Sequence, residues 1–149
     1  IDVSIDILDG DPWFALPESF ARAKKLRAAR SAVRLLCPFD NFLIHRRRVA
    51  RLFDFDYRLE CYTPQARRKY GYFSFAILFG ERLVGRLDPK ADRKTRILHI
   101  RSLHLEPGFE PTEAFARSLA EQLTAFATFN DCDQVDLARS IPKSLRAAL

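Results

Sequence analysis

The residues best suited to chemistry in this sequence are basic side chains set among aromatic rings. Cationic side chains neutralise phosphates, and aromatic rings stack on bases or contact sugars, so this interleaving is typical of nucleic-acid binding. The competing interpretation is a solvated basic turn beside aromatic residues that belong to the core. The candidates are Arg46, Arg47 and Arg48 in a first basic run, Arg67, Arg68 and Lys69 in a second, and Tyr62 and Tyr70 beside them.

The basic excess is concentrated in the middle of the chain. The 149 residues carry a net charge of +6. Residues 21–70 hold 14 Lys or Arg and four acids, whereas residues 1–20 hold five acids and no Lys or Arg. Both basic runs lie inside this strongly positive third. The distribution therefore favours a polyanionic partner such as double-stranded DNA.

Asp40 and Glu60 are the carboxylates of most interest, because each sits in a basic, aromatic neighbourhood. We interpret both as structural groups that orient nearby arginines, and Asp40 also stands where a helix N-cap is expected. The alternative is an enzyme that uses Glu60 or His45, but a general base needs a partner, and the sequence identifies none. The motifs GxSxG, GxGxxG, HExxH and the P-loop are absent.

The cysteines and histidines do not have the spacing of a metal site. Cys37, Cys61 and Cys132 are widely scattered, which favours free thiols in a reducing compartment. His99 and His104 lie five residues apart in one predicted strand and therefore point to opposite faces. There is no signal peptide and no apolar run of bilayer length. We expect a cytoplasmic protein with no metal and no membrane partner.

The elements before residue 54 are predicted to be a hairpin and basic helices. Residues 1–17 alternate apolar and polar positions around an Asp-Gly turn, as a β-hairpin does. The chain has no Met and begins within this pattern, so we expect the hairpin to end a preceding unit of a longer protein. Residues 18–53 are predicted to be a basic helical segment, with helices over residues 17–36 and 41–53.

Residues 54–149 are predicted to form an antiparallel sheet with a covering C-terminal helix. The helix is expected over residues 111–131, where Phe115, Leu119, Leu123 and Phe126 share one face. A loop is expected at residues 89–94 and a terminal helical turn at residues 142–149. The fold class is therefore α+β. Strands or extended segments are expected over residues 54–62, 70–78, 82–88, 95–105 and 134–139.

Three segments resemble the C-terminal part of the winged-helix crosslink-repair DNA glycosylases of the YcaQ/AlkZ type. They are LLCPFDNFLIHRRR, YRLECYTPQARRKYGYFSFAILFGERLVGRLDPKADRK and LHIRSLHLEPG, in this order and spacing. The resemblance implies tandem winged-helix units followed by a β-rich region, with residues 1–17 as the wing of the last unit. It also implies a bacterial hydrolase that binds duplex DNA and excises alkylated or crosslinked bases without a metal.

The resemblance implies that the catalytic signature, Gln-x-Gln or Gln-x-Asp, lies in the N-terminal part of the full protein. Here only Gln134-Val135-Asp136 fits, in the last predicted strand, and we interpret it as coincidence because a three-residue pattern is weak evidence. We therefore assign no catalytic residue. We expect a non-catalytic part that holds DNA against the N-terminal domains of the same parent chain. The alternative is an interaction module that docks onto those domains.

Overall fold

The structure is a computed structural model and describes residues 3–6, 12–27, 31–138, 141 and 145–146. As predicted, the fold is α+β, with a two-stranded hairpin, a five-stranded sheet and helices. A single turn of 3-10 helix covers Gln65–Arg67. The other elements are β1 (Val3–Asp6), β2 (Pro12–Ala15), α1 (Pro17–Ala23), β3 (Val33–Leu36), α2 (Asn41–Ile44), α3 (Arg46–Phe53), β4 (Phe75–Phe79), β5 (Arg82–Asp92), β6 (Ile97–Leu105), α4 (Glu113–Phe129) and β7 (Gln134–Leu137).

The five-stranded sheet has the order β3-β4-β5-β6-β7. The first four strands pair antiparallel, whereas β7 pairs parallel to β6. This change of direction follows from α4, because a parallel neighbour requires a long connection that returns the chain to the same end of the sheet. β6, β7 and α4 lie where the sequence predicts two strands and a helix, so these predictions are confirmed.

Each face of the sheet has its own apolar cluster. On one face, Phe115 and Leu119 of α4 pack against strand residues such as Ile77. On the other face, α2 and α3 pack with the segment that follows them, and Ala76 belongs to this second cluster. Neighbouring residues of β4 thus serve opposite faces, as the two-residue period of a strand requires. The second cluster consists of Leu43, Val49, Phe55, Tyr57, Ala76 and Leu83.

A β-bulge in β5 decides which of its side chains face away from α4. Val84 is the extra residue, because successive β4 residues pair with Leu83 and with Gly85 on either side of it. An extra residue shifts the alternation of side chains by one position. Val84 therefore faces α4, and Arg86 and Asp88 lie on the opposite face, where each of them makes polar contacts.

A second bulge lies in β6 at Arg101. Asp88 pairs with Ser102, whereas the next residue, Pro89, pairs with Ile100, so Arg101 has no partner in the ladder. The irregularity also accommodates Pro89, which cannot donate a hydrogen bond to its neighbour. β5 therefore continues to Asp92, and the loop predicted at residues 89–94 is wrong over residues 89–92.

The helix predicted over residues 17–36 is wrong at residues 33–36 and ends early, at Ala23. α1 ends there, and Val33–Leu36 form the edge strand β3. The Ala, Lys and Arg of this segment favour a helix locally. However, Val33 is buried under α4, and its backbone N–H donates to Ser118 Oγ at 2.9 Å. Tertiary pairing thus outweighs local propensity at this strand.

The helix predicted over residues 41–53 is broken at His45. The His45 backbone is not helical, with φ −89° and ψ 76°. The His45 side chain caps α3, because its Nδ1 accepts a hydrogen bond from Arg48 N at 3.2 Å. The alternating pattern at residues 54–62 does not form a strand. Phe55 and Tyr57 are buried, but this segment does not pair with the sheet. The next strand begins at Phe75, five residues later than predicted.

The remaining predictions about the fold concern boundaries. The two strands of the predicted N-terminal hairpin pair antiparallel from Val3 with Ala15 to Asp6 with Pro12, and its turn lies outside the described residues. Most of the predicted terminal turn at residues 142–149 also lies outside them. The division into units 1–17, 18–53 and 54–149 stays a prediction, although β3 of the second unit pairs with β4 of the third. No helix in the described part is long and apolar enough to cross a bilayer.

The packing of α4 leads to a prediction about stability. Replacing Leu119 with Ala empties a fully buried position and is expected to lower the free energy of unfolding by about 2–5 kcal/mol. Phe129→Ala, at a largely exposed position of the same helix, is the matched control and should cost no more than about 0.5 kcal/mol. Urea unfolding followed by circular dichroism measures both; equal losses would show that α4 does not carry the core.

Candidate nucleic-acid interface

The second basic run belongs to a loop, residues 67–73, which we call the basic loop. Glu60 binds its first part through three backbone N–H groups. Oε1 accepts from Lys69 N at 2.9 Å, and Oε2 accepts from Tyr70 N at 2.7 Å and Gly71 N at 3.1 Å. Hydrogen bonds from backbone N–H groups to an ionised carboxylate are stronger than those between neutral groups. One side chain thus fixes three successive peptide units.

Asp88 accepts hydrogen bonds from the last two residues of the basic loop. Its side chain is buried, and its carboxylate accepts from Tyr72 N at 3.0 Å and from Phe73 N at 3.2 Å. Arg101 Nη2 also contacts both carboxylate oxygens, at 2.9 and 2.8 Å. A buried carboxylate needs such donors to offset its lost hydration. The carboxylates of Glu60 and Asp88 therefore accept hydrogen bonds from five consecutive backbone N–H groups.

The electrostatics of Glu60 indicate a structural role. Burial works against ionisation, but the three backbone donors and the nearby Arg86 outweigh it and hold the pKa of Glu60 below its ordinary value. A general base needs a pKa near the working pH and access to the proton that it removes. Glu60 is instead ionised, with both oxygens occupied. Its partners are backbone amides rather than the arginines that the sequence led us to expect.

Asp40 has a local role of the same kind. Its Oδ1 accepts from Phe42 N at 2.8 Å, so Asp40 is the N-cap of α2, as predicted. Here too the partner is a backbone amide and not an arginine. The neighbouring Phe39 ring packs edge-on against Phe73 at 5.5 Å between centroids. This contact ties the start of α2 to the end of the basic loop.

Gly71 is the position where the basic loop comes closest to the sheet. Its φ of +134° is one that side-chain-bearing residues rarely adopt, and a Cβ there would lie 2.4 Å from Asp88 Oδ2. Glycine is therefore required twice, by backbone conformation and by space. The Lys-Tyr-Gly-Tyr sequence is what allows two large aromatic residues to flank so tight an approach.

Both the backbone and the ring of Tyr70 make contacts within the protein. Its carbonyl accepts from Ser102 Oγ at 2.6 Å, and its ring lies over the Arg86 guanidinium at 4.0 Å. The edge of His104 meets the same ring at 5.3 Å between centroids. The predicted contact of Tyr70 with a sugar or base therefore competes with these packing contacts, whereas Tyr62 is 91% exposed.

Arg86 is the residue that sequence reasoning missed most completely. Its side chain is 2% exposed and lies between the rings of Phe55, at 4.3 Å, and Tyr70. Nη1 donates to Asp56 O at 3.0 Å and Nη2 to Glu106 Oε1 at 2.6 Å. An arginine set among Leu, Val and Gly in a strand was the available signal. The bulge that turns it away from α4 cannot be read from the pattern.

A cleft of about 320 Å³ opens between the basic loop and β6. Arg68, Lys69 and Tyr72 line it from the loop, and Arg101, Ser102 and His104 line it from β6. Burial and the positive charges of Arg86 and Lys69 hold the pKa of His104 below its ordinary value, so the imidazole is neutral near pH 7. The cations of the cleft are therefore its lysine and arginines.

The first basic run is divided by its contacts. Arg46 and Arg47 are exposed on α3. Arg48 is partly buried, and its Nη2 donates to the carbonyls of Asn41 at 2.7 Å and Phe42 at 3.1 Å. Its guanidinium therefore joins α3 to α2. The three arginines that the sequence grouped together thus have two different environments.

The other sequence candidates lie outside this arrangement. Within the described residues, no group of three or more His, Cys, Asp or Glu is placed to hold a metal ion. Asp136, from the coincidental Gln-x-Asp pattern, pairs with His99 across β6 and β7 at 2.9 Å. The three cysteines are free thiols.

One family model matches most of the chain. Residues 1–129 match the sequence model of a family described as AlkZ-like, DNA glycosylase AlkZ-like. The matched range includes both basic runs, Glu60, Asp88 and the whole cleft. No solved structure matches the chain.

The close approach at Gly71 gives a prediction. Gly71→Ala is expected to lower the free energy of unfolding by roughly 2 kcal/mol or more, because strain at positive φ adds to the clash with Asp88. Gly108→Ala is the matched control, since Gly108 also has a positive φ of +78° but meets no atom within 4 Å. It should cost only about 1 kcal/mol. Equal losses in chemical denaturation would mean that Asp88 does not constrain the loop.

Glu60 gives a prediction with a pH dependence. Glu60→Gln is expected to lower stability at pH 7 by about 1–3 kcal/mol, since an amide group cannot accept all three N–H bonds as a carboxylate does. Because the folded-state pKa is depressed, this contribution is present above the ordinary value of 4.5 and is lost as pH falls through the folded pKa. Denaturation from pH 7 to 2.5 measures it, with Glu110→Gln, at an exposed position, as control. A difference that does not change with pH contradicts the proposed cause.

Proposed function

Because the chain belongs to the AlkZ-like DNA glycosylase family, we propose that it is the duplex-binding, non-catalytic C-terminal part of a DNA-repair glycosylase. It holds DNA while the N-terminal domains of the parent protein hydrolyse the N-glycosidic bond of an alkylated or crosslinked base. The observation that carries this proposal is the basic loop, which presents three adjacent cationic residues on a backbone fixed by Glu60 and Asp88.

The rigidity of the basic loop supports binding to a charged surface. Its backbone donors from residue 69 to residue 73 are already used, so its side chains make the contacts with phosphates. Arg67 and Lys69 are exposed, and Arg68 is partly buried, donating to Thr63 O at 2.8 Å and lying over the Tyr72 ring at 4.9 Å. A preordered loop loses less conformational entropy on binding than a flexible one.

The first basic run and the aromatic residues extend this surface. Arg46 and Arg47 contact phosphates in our proposal, whereas Arg48 serves mainly to join the two helices. Tyr62, the most exposed aromatic candidate, contacts a sugar or an exposed base. Residues 1–17 act as the wing of a preceding winged-helix unit, an assignment supported by the antiparallel pairing of β1 and β2.

Glu60 and His45 are the two residues that the sequence offers for catalysis. The contacts of both side chains support a non-catalytic role. Glu60 is ionised and saturated by backbone donors. His45 Nδ1 accepts from a backbone N–H at the start of α3. Hydrolysis requires a group that is able to activate water. Each of these two side chains is instead held in a structural bond.

Docking onto the N-terminal domains is the second candidate function, and one observation favours it. Phe39, two residues before α2, and Ile44, its last residue, are large apolar residues that are mostly exposed. Large apolar side chains exposed on a surface are candidate contacts for a partner. Docking and DNA binding are separated by the experiment below, because only DNA binding depends on the charge of the basic loop.

The proposed function predicts a salt-dependent affinity for duplex DNA. The triple variant Arg67→Gln, Arg68→Gln, Lys69→Gln is expected to bind more weakly. The slope of log affinity against log salt should also be less steep, by about 0.9 for each phosphate that the variant no longer neutralises. Fluorescence anisotropy with a labelled duplex at several salt concentrations measures both quantities.

The matched control removes the same charge elsewhere. Lys90, Arg93 and Lys94 are exposed at the far end of β5 and in the turn that follows it. Their triple change to Gln should leave the salt slope close to that of the wild type. If both triple variants change the slope equally, net charge alone explains binding. If neither changes affinity, docking replaces DNA binding as the favoured function.

A further inference from the structure

Arg101 brings a third cation to the cleft from outside both basic runs. It is the extra residue of the bulge in β6, so its side chain is not fixed by the regular alternation of the strand. It lines the cleft together with Arg68 and Lys69, which enter from the basic loop. Residues separated by more than 30 positions in sequence thus converge on one small space.

The negative charge beside these cations is hidden behind them. The Asp88 side chain is 5% exposed, whereas that of Arg101 is 41% exposed. Asp88 accepts two backbone N–H groups in addition to Arg101, and Glu60 accepts three. Both carboxylates are therefore satisfied by the protein itself. Asp88 lines the cleft, but its side chain is almost unexposed, so a ligand that enters the cleft meets mainly donors and positive charge.

The guanidinium of Arg101 keeps donors for a ligand. It contacts Asp88 through Nη2 alone, and no hydrogen bond from Nε or Nη1 to a described residue is present. Asp88 therefore anchors one end of the planar group without using all of it. An arginine oriented in this way suits a tetrahedral oxyanion, which takes two parallel hydrogen bonds from a guanidinium.

We propose that Arg101, Lys69 and Arg68 bind one phosphate group of the DNA backbone in this cleft. This inference rests on the proposed function, because it identifies one specific contact within a duplex-binding surface. The Ser102 hydroxyl already donates to Tyr70 O, so the three cations supply the recognition. The positioning residue is Asp88, which fixes both the loop that carries two of the cations and the third cation itself.

Two features favour a backbone phosphate over a small free anion. The volume of about 320 Å³ exceeds what a single phosphate fills, which leaves space for the adjoining sugar. The half-exposed Tyr72 lines the same space and offers a ring to that sugar or its base. Arg67, at the start of the basic loop, is exposed and continues the positive surface.

The test combines a charge-removing variant with DNA that lacks single charges. Arg101→Gln should lower the salt slope of duplex binding by up to about 0.9, the value for one phosphate. In wild-type protein, a set of duplexes that each carry one neutral methylphosphonate linkage identifies the phosphates that matter. With Arg101→Gln, the substitution at one of those positions should have a much smaller effect, because Lys69 and Arg68 alone bind that phosphate more weakly. The effects at all other positions should persist.

Two further variants keep the test interpretable. Arg101→Lys retains the charge but not the planar donors, so it should restore the salt slope while leaving affinity below that of the wild type. Arg117→Gln removes an arginine paired with Glu113 on α4, which covers the opposite face, and should bind DNA as the wild type does. Circular dichroism melts establish that each variant is folded at the assay temperature.

The outcomes separate this inference from the proposed function. If the wild type binds duplex with a steep salt slope but Arg101→Gln behaves like Arg117→Gln at every linkage, the phosphate site is wrong and the proposed function stands. If the wild type does not bind duplex even at low salt, the proposed function itself fails. If inorganic phosphate shifts the NMR signal of Arg101 Nε and duplex does not, the cleft is a small-anion site, which overturns the inference.

Discussion

The structure around the cleft depends on two carboxylates that accept hydrogen bonds from the backbone N–H groups of the basic loop. Glu60 and Asp88 accept all five N–H groups from Lys69 to Phe73. Without them, a run of three cationic residues would lie beside the buried Arg86 with only its ion-pair partner Glu106 to offset the charge, and like charges at such distances repel. The carboxylates offset that repulsion and fix the path of the loop. The side of the cleft that the basic loop forms follows from this path.

The buried cation and the carboxylates support one another through shared aromatic rings. Arg86 is enclosed by Phe55 and Tyr70, and the Tyr70 backbone is in turn held by Glu60 and Ser102. Cation–π contacts are most favourable where water is excluded, as it is here. Packing, charge and hydrogen bonding therefore act on the same few residues, and a change in one of them alters the others.

Sequence reasoning succeeded where local signals and burial agree. The face of α4, the N-cap at Asp40 and the strands β6 and β7 follow from periodicity and capping rules. It failed at β3, whose edge pairing overrides a strong helical composition. It also could not find the cleft. The positions of Arg86, Asp88 and Arg101 depend on two bulges, and a bulge changes the phase of a strand without leaving a mark in the hydrophobic pattern.

The two outermost strands of the sheet, β3 and β7, are only four residues long. An exposed edge offers unpaired N–H and C=O groups to any other extended chain, and long flat edges are sites of aggregation. Short edges limit that template, and Arg34 places a charge on β3. Short edges of this kind therefore disfavour edge-to-edge pairing in a chain with 13 phenylalanines.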